Sequence, residues 1–95
     1  MLSILYVDDE PALLELGKLF LEQGGQFSVT IISSAPAALE LLKAGNFDAV
    51  IADYQMPGMN GIEFLKRVRG SGNSILFILF TGRGREEVVI QALNE

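Results

Sequence analysis

The stretch FDAVIADYQMPGMNG, Phe47–Gly61, decides the fold of this chain. Its apolar run at residues 49–52 ends abruptly in Asp53, and Gly61 opens a helical pattern after a short loop. A short run that is apolar on both faces is typical of a strand buried in a parallel sheet. Because ligands of open α/β sheets bind beyond the carboxyl ends of the strands, Asp53 lies where chemistry is expected. A single Asp in this position is about as often a solvated loop residue, so the other strand ends must decide.

The composition predicts one folded domain that works without cysteine or histidine chemistry. Of the 95 residues, 49% are hydrophobic and 20% are charged, a balance that allows a packed core. The absence of Cys and His excludes disulfides, thiolate and imidazole catalysis, and the usual zinc sites. Oxygen ligands remain, and these suit hard cations such as Mg²⁺.

Charge and hydropathy argue against nucleic acid and membrane partners. The formal net charge is −5, which disfavours a surface for polyanions. The longest unbroken apolar run, at residues 75–80, is far shorter than a bilayer crossing requires. No signal-peptide pattern opens the chain. We therefore expect a cytoplasmic protein with no direct contact to nucleic acid or membrane.

Strand and helix patterns alternate along the chain. Apolar runs predict strands at residues 4–7, 27–33, 49–52 and 75–80, and helical patterns occupy residues 11–23, 34–44, 62–69 and 85–94. Connections of this length predict right-handed crossovers between parallel strands. The expected fold class is α/β with a doubly wound parallel sheet.

Two patterns predict that the sheet continues beyond its fourth strand. Residues 27–33 alternate between apolar and polar, as edge strands do, whereas residues 75–80 are apolar throughout, as interior strands are. An interior strand needs a neighbour on each side, and no further strand pattern follows residue 80. The helix at residues 11–23 is also apolar over a wider arc than one sheet face covers. We therefore expect a terminal strand and helix to be absent from this chain.

Four polar residues follow the predicted strands: Asp8, Asp9, Asp53 and Thr81. If the first and third strands are neighbours, three carboxylates converge, which is unfavourable unless protons or a metal offset their repulsion. A divalent cation is the natural resolution, and Mg²⁺ is the commonest candidate. Taken alone, Asp8 and Asp9 would more often cap the next helix and compensate its dipole. The matching positions of Asp53 and Thr81 at other strand ends favour a functional site instead.

Asp53 is the carboxylate best suited to act as a nucleophile. Carboxylates form acyl phosphates, and a Mg²⁺ ion beside Asp53 would position an incoming phosphoryl group and neutralise its charge. The hydroxyl of Thr81 could donate to a phosphoryl oxygen, although a Thr at a strand end is ordinary by itself. These residue types in this order indicate phosphoryl transfer.

The motifs DDEP at residues 8–11, DYQMPGMNG at residues 53–61 and TG at residues 81–82 resemble the receiver domain of two-component response regulators. The resemblance covers the whole chain and implies a single receiver domain, residues 1–95, similar to the chemotaxis regulators. The implied fold is flavodoxin-like, with strand order 2-1-3-4 and with the fifth strand and its helix absent. The family's lysine at the end of the fifth strand and its switch aromatic then lie beyond Glu95, so no residue is assigned to either role.

The resemblance also implies the roles of the site residues. Asp53 would accept a phosphoryl group from the phosphohistidine of a sensor histidine kinase or a phosphotransfer domain. Mg²⁺ would be ligated by Asp9, Asp53 and the backbone carbonyl of Gln55, with Asp8 assisting through water. Thr81 would be the switch hydroxyl that moves toward the acyl phosphate, and a downstream output domain or protein would be a further partner. Such a chain assists its own phosphorylation and dephosphorylation and is not a conventional enzyme.

Two alternatives remain open at this stage. The first is an interaction or dimerisation module of a longer regulator or hybrid kinase that needs no phosphorylation, because an open edge at the fourth strand leaves room for a homodimer. The second is a metal-dependent aspartyl phosphatase. It is disfavoured because Gln55 stands where a general acid is required, two residues after Asp53, and because the chain has no histidine.

Overall fold

Strands and helices alternate along the chain, as the apolar patterns predict. The computed structural model describes the backbone of residues 1–81 and 87–90 and the side chains of residues 1–80. The described elements are β1 (Leu2–Val7), α1 (Pro11–Glu22), β2 (Phe27–Ile32), α2 (Ala35–Ala44), β3 (Ala49–Asp53), α3 (Gly61–Gly70), β4 (Leu76–Thr81) and β5 (Glu87–Ile90). Over these ranges no helix has both the length and the apolarity needed to cross a bilayer.

The described strands form one sheet in the order β2-β1-β3-β4-β5. β1 is parallel to both β2 and β3, and β3 is parallel to β4. The predicted doubly wound order 2-1-3-4 is therefore confirmed, with β2 at the edge. In β2 the side chains of Ser28 and Thr30 are exposed and that of Val29 is buried, in agreement with the alternating pattern.

The predicted helix at residues 85–94 is wrong where the structure describes this segment. Glu87–Ile90 form β5, which runs antiparallel to β4 and pairs with Ile78–Thr81. Three consecutive β-branched residues favour an extended backbone, and an antiparallel neighbour needs only a short connection, whereas a parallel one needs a crossover. Residues 82–86 and 91–95, with the predicted loop after Thr81 and the rest of the predicted helix, lie outside the described residues.

The predicted open edge at the fourth strand is also wrong, because β5 pairs with β4. It supplies the outer neighbour that the apolar pattern of β4 requires, so β4 is interior as predicted, but its partner comes from this chain. Among the described elements there is no parallel fifth strand with its helix. β5 has the sequence EVVI, which contains neither lysine nor an aromatic residue, so it fills neither of the two missing family roles.

Helices cover both faces of the sheet. One face of β1, β3 and β4 packs against α2 and α3 in a cluster that includes Leu5, Val50, Phe64 and Phe77. The rings of Phe64 and Phe77 meet edge to face, with their centroids 5.3 Å apart. The other face packs against α1, where Leu14 lies with Ile4, Tyr6 and other residues of a second cluster. Two clusters on opposite faces are what a doubly wound sheet requires.

Helix α1 leaves much of its apolar surface uncovered. Leu16, Leu19 and Phe20 are 61%, 68% and 73% exposed, whereas Leu14 is buried against the sheet. This distribution confirms that the apolar arc of the helix is wider than the described part of the sheet can cover.

Candidate metal site at the carboxyl edge of the sheet

The register of the strands brings the predicted site residues to one edge of the sheet. Val7 of β1 pairs with Ala52 of β3, so Asp8 and Asp53 each lie one residue beyond this pair. Asp53 in turn pairs with Phe80 of β4, which places the backbone of Thr81 one residue further on. The carboxyl ends of three adjacent strands thus supply the candidate residues, as the topology of a parallel sheet requires.

Three carboxylates meet at this edge. Asp8, Asp9 and Asp53 each offer an oxygen, and these oxygens lie within 4.8 Å of one another. Asp8 is 0% exposed and Asp53 is 1% exposed, while Asp9 is half-buried. Exposed acidic clusters are common on protein surfaces, but burying two of three neighbouring carboxylates is costly unless a cation or a proton accompanies them.

A repeated backbone contact orients the two buried carboxylates. The Oδ1 atom of Asp8 accepts a hydrogen bond from the backbone N–H of Glu10 at 3.0 Å. The Oδ1 atom of Asp53 accepts the corresponding bond from the N–H of Gln55 at 3.2 Å. In both cases the donor lies two residues after the Asp, which is the geometry of an Asx turn. Neither contact was predicted from the sequence, although an Asp directly before a tight loop is its usual signal.

The loop after β3 is held close to the site by backbone contacts. The N–H of Tyr54 donates to the carbonyl of Phe80 at 2.8 Å, and the N–H of Gly61 donates to the carbonyl of Tyr54 at 2.9 Å. Helix α3 begins there, because Asn60 and Glu63 form a capping box in which each side chain accepts from the backbone N–H of the other. These contacts join Asp53 to β4 on one side and to α3 on the other.

Gly61 allows α3 to approach the backbone of Asp53. A Cβ atom at this position would lie 2.6 Å from the carbonyl oxygen of Asp53 and 3.0 Å from the Cα atom of Tyr54, and it would also overlap the side chain of Leu79. Only glycine fits this contact without a shift of the backbone. The sequence pattern places Gly61 at the start of a helix, and the structure gives the steric reason for a glycine there.

The pKa of Tyr6 is sensitive to the negative charge of the acidic cluster. Its side chain packs in the α1-side cluster, and its ring centroid lies 6.3 Å from that of Phe80. Burial raises the pKa of the Tyr6 phenol, and the negative charges of Asp8 and Asp53 raise it further. The same charges would attract a cation to the edge of the sheet.

The structure gives less information on two other predicted site residues, Gln55 and Thr81. Gln55 is exposed, and its N–H contacts Asp53 as described above. Thr81 ends β4 at the same edge of the sheet, but its side chain lies outside the described residues. The metal-ligating carbonyl of Gln55 and the switch hydroxyl of Thr81 stay predictions.

The donor set of the acidic cluster fits a small divalent cation. Mg²⁺ is bound through oxygen atoms at about 2.1 Å, so two ligand oxygens on opposite sides of the ion lie about 4.2 Å apart. The three carboxylate oxygens, all within 4.8 Å of one another, need only small side-chain adjustments to reach that spacing. Such a cation would offset the repulsion among the carboxylates and leave coordination positions for water or an anionic group.

Comparison with protein families and curated proteins gives a consistent result. The family model for the response regulator receiver domain matches residues 4–95. The transcriptional regulatory protein FixJ of Bradyrhizobium diazoefficiens is 32% identical to this chain over 91 residues, which are 96% of the chain and 44% of FixJ. The chemotaxis protein CheY-3 of Vibrio cholerae is 32% identical over 93 residues, which are 96% of the chain and 72% of CheY-3. The chain thus spans less than half the length of FixJ.

The solved structures agree with the sequence relatives. The response regulator protein TrrA of Thermotoga maritima, in complex with Mg(2+)-BeF, matches with a TM-score of 0.81 at 32% identity. The match covers 99% of this chain and 90% of TrrA. Fold, sequence and family model all confirm the resemblance carried by the motifs at residues 8–11 and 53–61. The chain therefore belongs to the receiver domains of two-component response regulators.

Proposed function

We propose that Asp53 is the phosphoacceptor of this receiver domain. The observation that carries the proposal is the burial of Asp53 at the carboxyl end of β3, with carboxylate oxygens of Asp8 and Asp9 within 4.8 Å. Response regulators receive phosphoryl groups from histidine kinases and act on output domains. Here a carboxylate oxygen of Asp53 attacks the phosphorus, the bond from phosphorus to the donor nitrogen breaks, and the imidazole leaves.

The acidic cluster is the proposed Mg²⁺ site. Asp9, Asp53 and the backbone carbonyl of Gln55 hold the ion, and Asp8 assists through water. A bound Mg²⁺ supplies positive charge that offsets the negative charge of the phosphoryl group and of the carboxylates. Support comes from the oxygen spacing in this structure and from TrrA, a relative whose structure was solved in complex with Mg(2+)-BeF.

Thr81 is the proposed switch residue. It ends the strand next to β3, one residue beyond the partner of Asp53, so its backbone lies at the same edge of the sheet as the acidic cluster. In this role the chain is a phosphoacceptor that assists its own phosphorylation and dephosphorylation, and it is not a conventional enzyme. Its partners are a sensor histidine kinase or phosphotransfer domain and a downstream output domain or protein.

The direct test of this function is phosphoryl uptake from a small donor. We expect that incubation with Mg²⁺ and acetyl phosphate adds the mass of one phosphoryl group to the intact protein. The addition should disappear when a chelator removes the Mg²⁺, because the acidic cluster then repels the anionic donor. An unchanged mass, or an addition that is equally fast in the chelator, would overturn the proposal.

Metal binding has its own prediction. We expect Mg²⁺ to raise the melting temperature, because an ion that binds only the folded state stabilises it by about 2.7 kcal/mol at about a hundredfold excess over its Kd. Asp9→Asn should weaken this response by removing one ligand charge from a half-buried position. Asp48→Asn is the matched control, since Asp48 lies at the opposite end of β3 and accepts from the N–H of Ser3. If Mg²⁺ raises the melting temperature equally in the parent protein, Asp9→Asn and Asp48→Asn, the ion binds outside the acidic cluster.

A second candidate function is an interaction or dimerisation module that needs no phosphoryl group. It is favoured by the exposed apolar side chains of α1, in particular Leu16, Leu19 and Phe20. Burial of such a surface against a partner or a second copy is favourable without any change at Asp53. Intact-mass spectrometry with the phosphodonor separates the two candidates, because only a phosphoacceptor gains mass, and light scattering measures whether the chain associates in the absence of the donor.

A further inference from the structure

Among the described strands, β2 lies at an outer edge of the sheet, so half of its backbone hydrogen-bonding groups point away from β1. In a parallel pair, alternate residues direct both their N–H and their C=O towards the same neighbouring strand. The carbonyls of Gln26 and Ile32 accept from amides on the β1 side. The residues that face outward are therefore Phe27, Val29 and Ile31.

The sequence of this edge favours pairing with another strand. β2 reads FSVTII and contains no charged residue and no proline, while three of its six residues are Val or Ile. Short segments of high β-propensity without charge or proline are prone to strand addition, and natural edge strands commonly carry Lys or Pro against it. β2 has neither device within its own sequence.

Two charged side chains of α1 occupy the middle of this edge. Lys18 donates from Nζ to the carbonyl oxygen of Val29 at 2.7 Å, and the N–H of Val29 donates to Oε2 of Glu22 at 2.8 Å. Lys18 and Glu22 also pair with each other at 3.0 Å. One ion pair therefore takes up both outward backbone groups of the central outward-facing residue.

The hydrogen bonds from Lys18 and Glu22 to the backbone of Val29 each involve a charged side chain. Hydrogen bonds with one charged partner are roughly twice as strong as those between neutral groups. The N–H of Val29, and after it Lys18, lowers the pKa of the Glu22 carboxyl, so Glu22 is charged at neutral pH. An incoming strand would have to displace both charged groups before it could bond to Val29.

We propose that the ion pair of Lys18 and Glu22 closes the β2 edge to a second copy of this chain, and that β2 is the surface through which copies associate when the pair is removed. The second copy fits this edge because two identical β2 strands present the same outward groups and can pair about a two-fold axis. The proposal concerns the edge opposite to β5 and is independent of Asp53.

Removal of both charges tests the proposal. In Lys18→Ala/Glu22→Ala, the helix keeps good helix formers and the net charge of the protein is unchanged. We expect the weight-average mass in light scattering to rise from that of the parent protein towards that of a dimer or a larger assembly. The control is Glu40→Ala/Lys43→Ala, which removes the exposed ion pair of α2 and should leave the mass of the parent.

A third variant identifies the associating surface. Thr30 is exposed on β2, so adding Thr30→Lys to the double variant places a charge on the strand itself and should restore the parent mass. The proposal is overturned if the double variant keeps the parent mass. It is equally overturned if association persists in the presence of Thr30→Lys, because the copies would then meet through another surface such as α1.

Amide hydrogen exchange covers the case in which the double variant does not fold. In the unmodified protein, the Val29 amide should be protected although it faces outward from the sheet. In Glu22→Ala its exchange should become about tenfold faster, as expected for the loss of one hydrogen bond to a charged acceptor. Fast exchange of Val29 in the unmodified protein would show that the edge is open and would contradict the proposal.

Discussion

Replacing Asp53 with Asn is expected to abolish phosphoryl uptake from acetyl phosphate. The amide has nearly the same shape and can still accept from the N–H of Gln55, but it has no anionic oxygen to attack phosphorus. We do not expect Asp8 or Asp9 to replace it, because the proposed function assigns these two carboxylates to the metal ion. Intact-mass spectrometry over a time course should show no addition in this variant while the parent protein is modified.

The control for this prediction is Asp48→Asn. Asp48 precedes the same strand at its other end and is exposed, so its loss removes an equal charge without touching the acidic cluster. It should take up phosphoryl groups at the parent rate. Uptake by Asp53→Asn at a rate similar to that of the parent would mean that another residue is the acceptor.

The same variant has an expected effect on stability. Asp53→Asn removes one of three carboxylates whose oxygens lie within 4.8 Å of one another, so in metal-free buffer it should raise the free energy of unfolding by about 1–2 kcal/mol. It should also lose most of its response to Mg²⁺. Urea denaturation with and without Mg²⁺ measures both effects, and a metal-free variant that is less stable than the parent would argue against repulsion in the cluster.

Gly61→Ala is expected to destabilise the protein although alanine is the better helix former. The added Cβ would lie 2.6 Å from the carbonyl oxygen of Asp53, so α3 or the end of β3 must move. Overpacking of this kind costs about 1–3 kcal/mol, which is a large fraction of the stability of a small domain. Because the carbonyl belongs to Asp53 itself, the rate of phosphoryl uptake should fall as well.

Gly70→Ala provides the matched control in the same helix. Gly70 is the last residue of α3, and a Cβ atom at this position meets no atom within 4 Å. The substitution should therefore leave uptake unchanged and leave the stability equal or slightly higher, because alanine loses less backbone entropy than glycine. If urea denaturation shows Gly61→Ala to be as stable as Gly70→Ala, the close approach of α3 to Asp53 is not a constraint on this protein.

The acidic cluster could be predicted from the sequence because parallel strands bring their carboxyl ends to one edge. Asp8 and Asp53 each follow an apolar run directly, so the pairing of the two runs was enough to place the carboxylates together. The edge position of β2 was predictable for a similar reason, since its alternation reports one solvated face. Both features depend on patterns that a sequence displays within a few residues.

Other features depend on contacts that no local pattern reports. VVIQAL at residues 88–93 fits the period of a helix, but Val and Ile also favour strands, and pairing with β4 decided the outcome at Glu87–Ile90. The contact of Lys18 and Glu22 with Val29 joins a helix to the edge of a different element, so a sequence shows only an ordinary ion pair four residues apart. The capping box at Asn60 does have a local signal in the sequence, an Asn three residues before Glu63.

Chemical mapping of the modified residue tests directly whether Asp53 receives the phosphoryl group. The protein is treated with Mg²⁺ and acetyl phosphate, the acyl phosphate is reduced with borohydride to the alcohol, and the peptides are sequenced by mass spectrometry. We expect a homoserine at position 53 and an unreduced Asp at positions 8, 9 and 48. A homoserine at any of those other positions, or none at position 53, would contradict it.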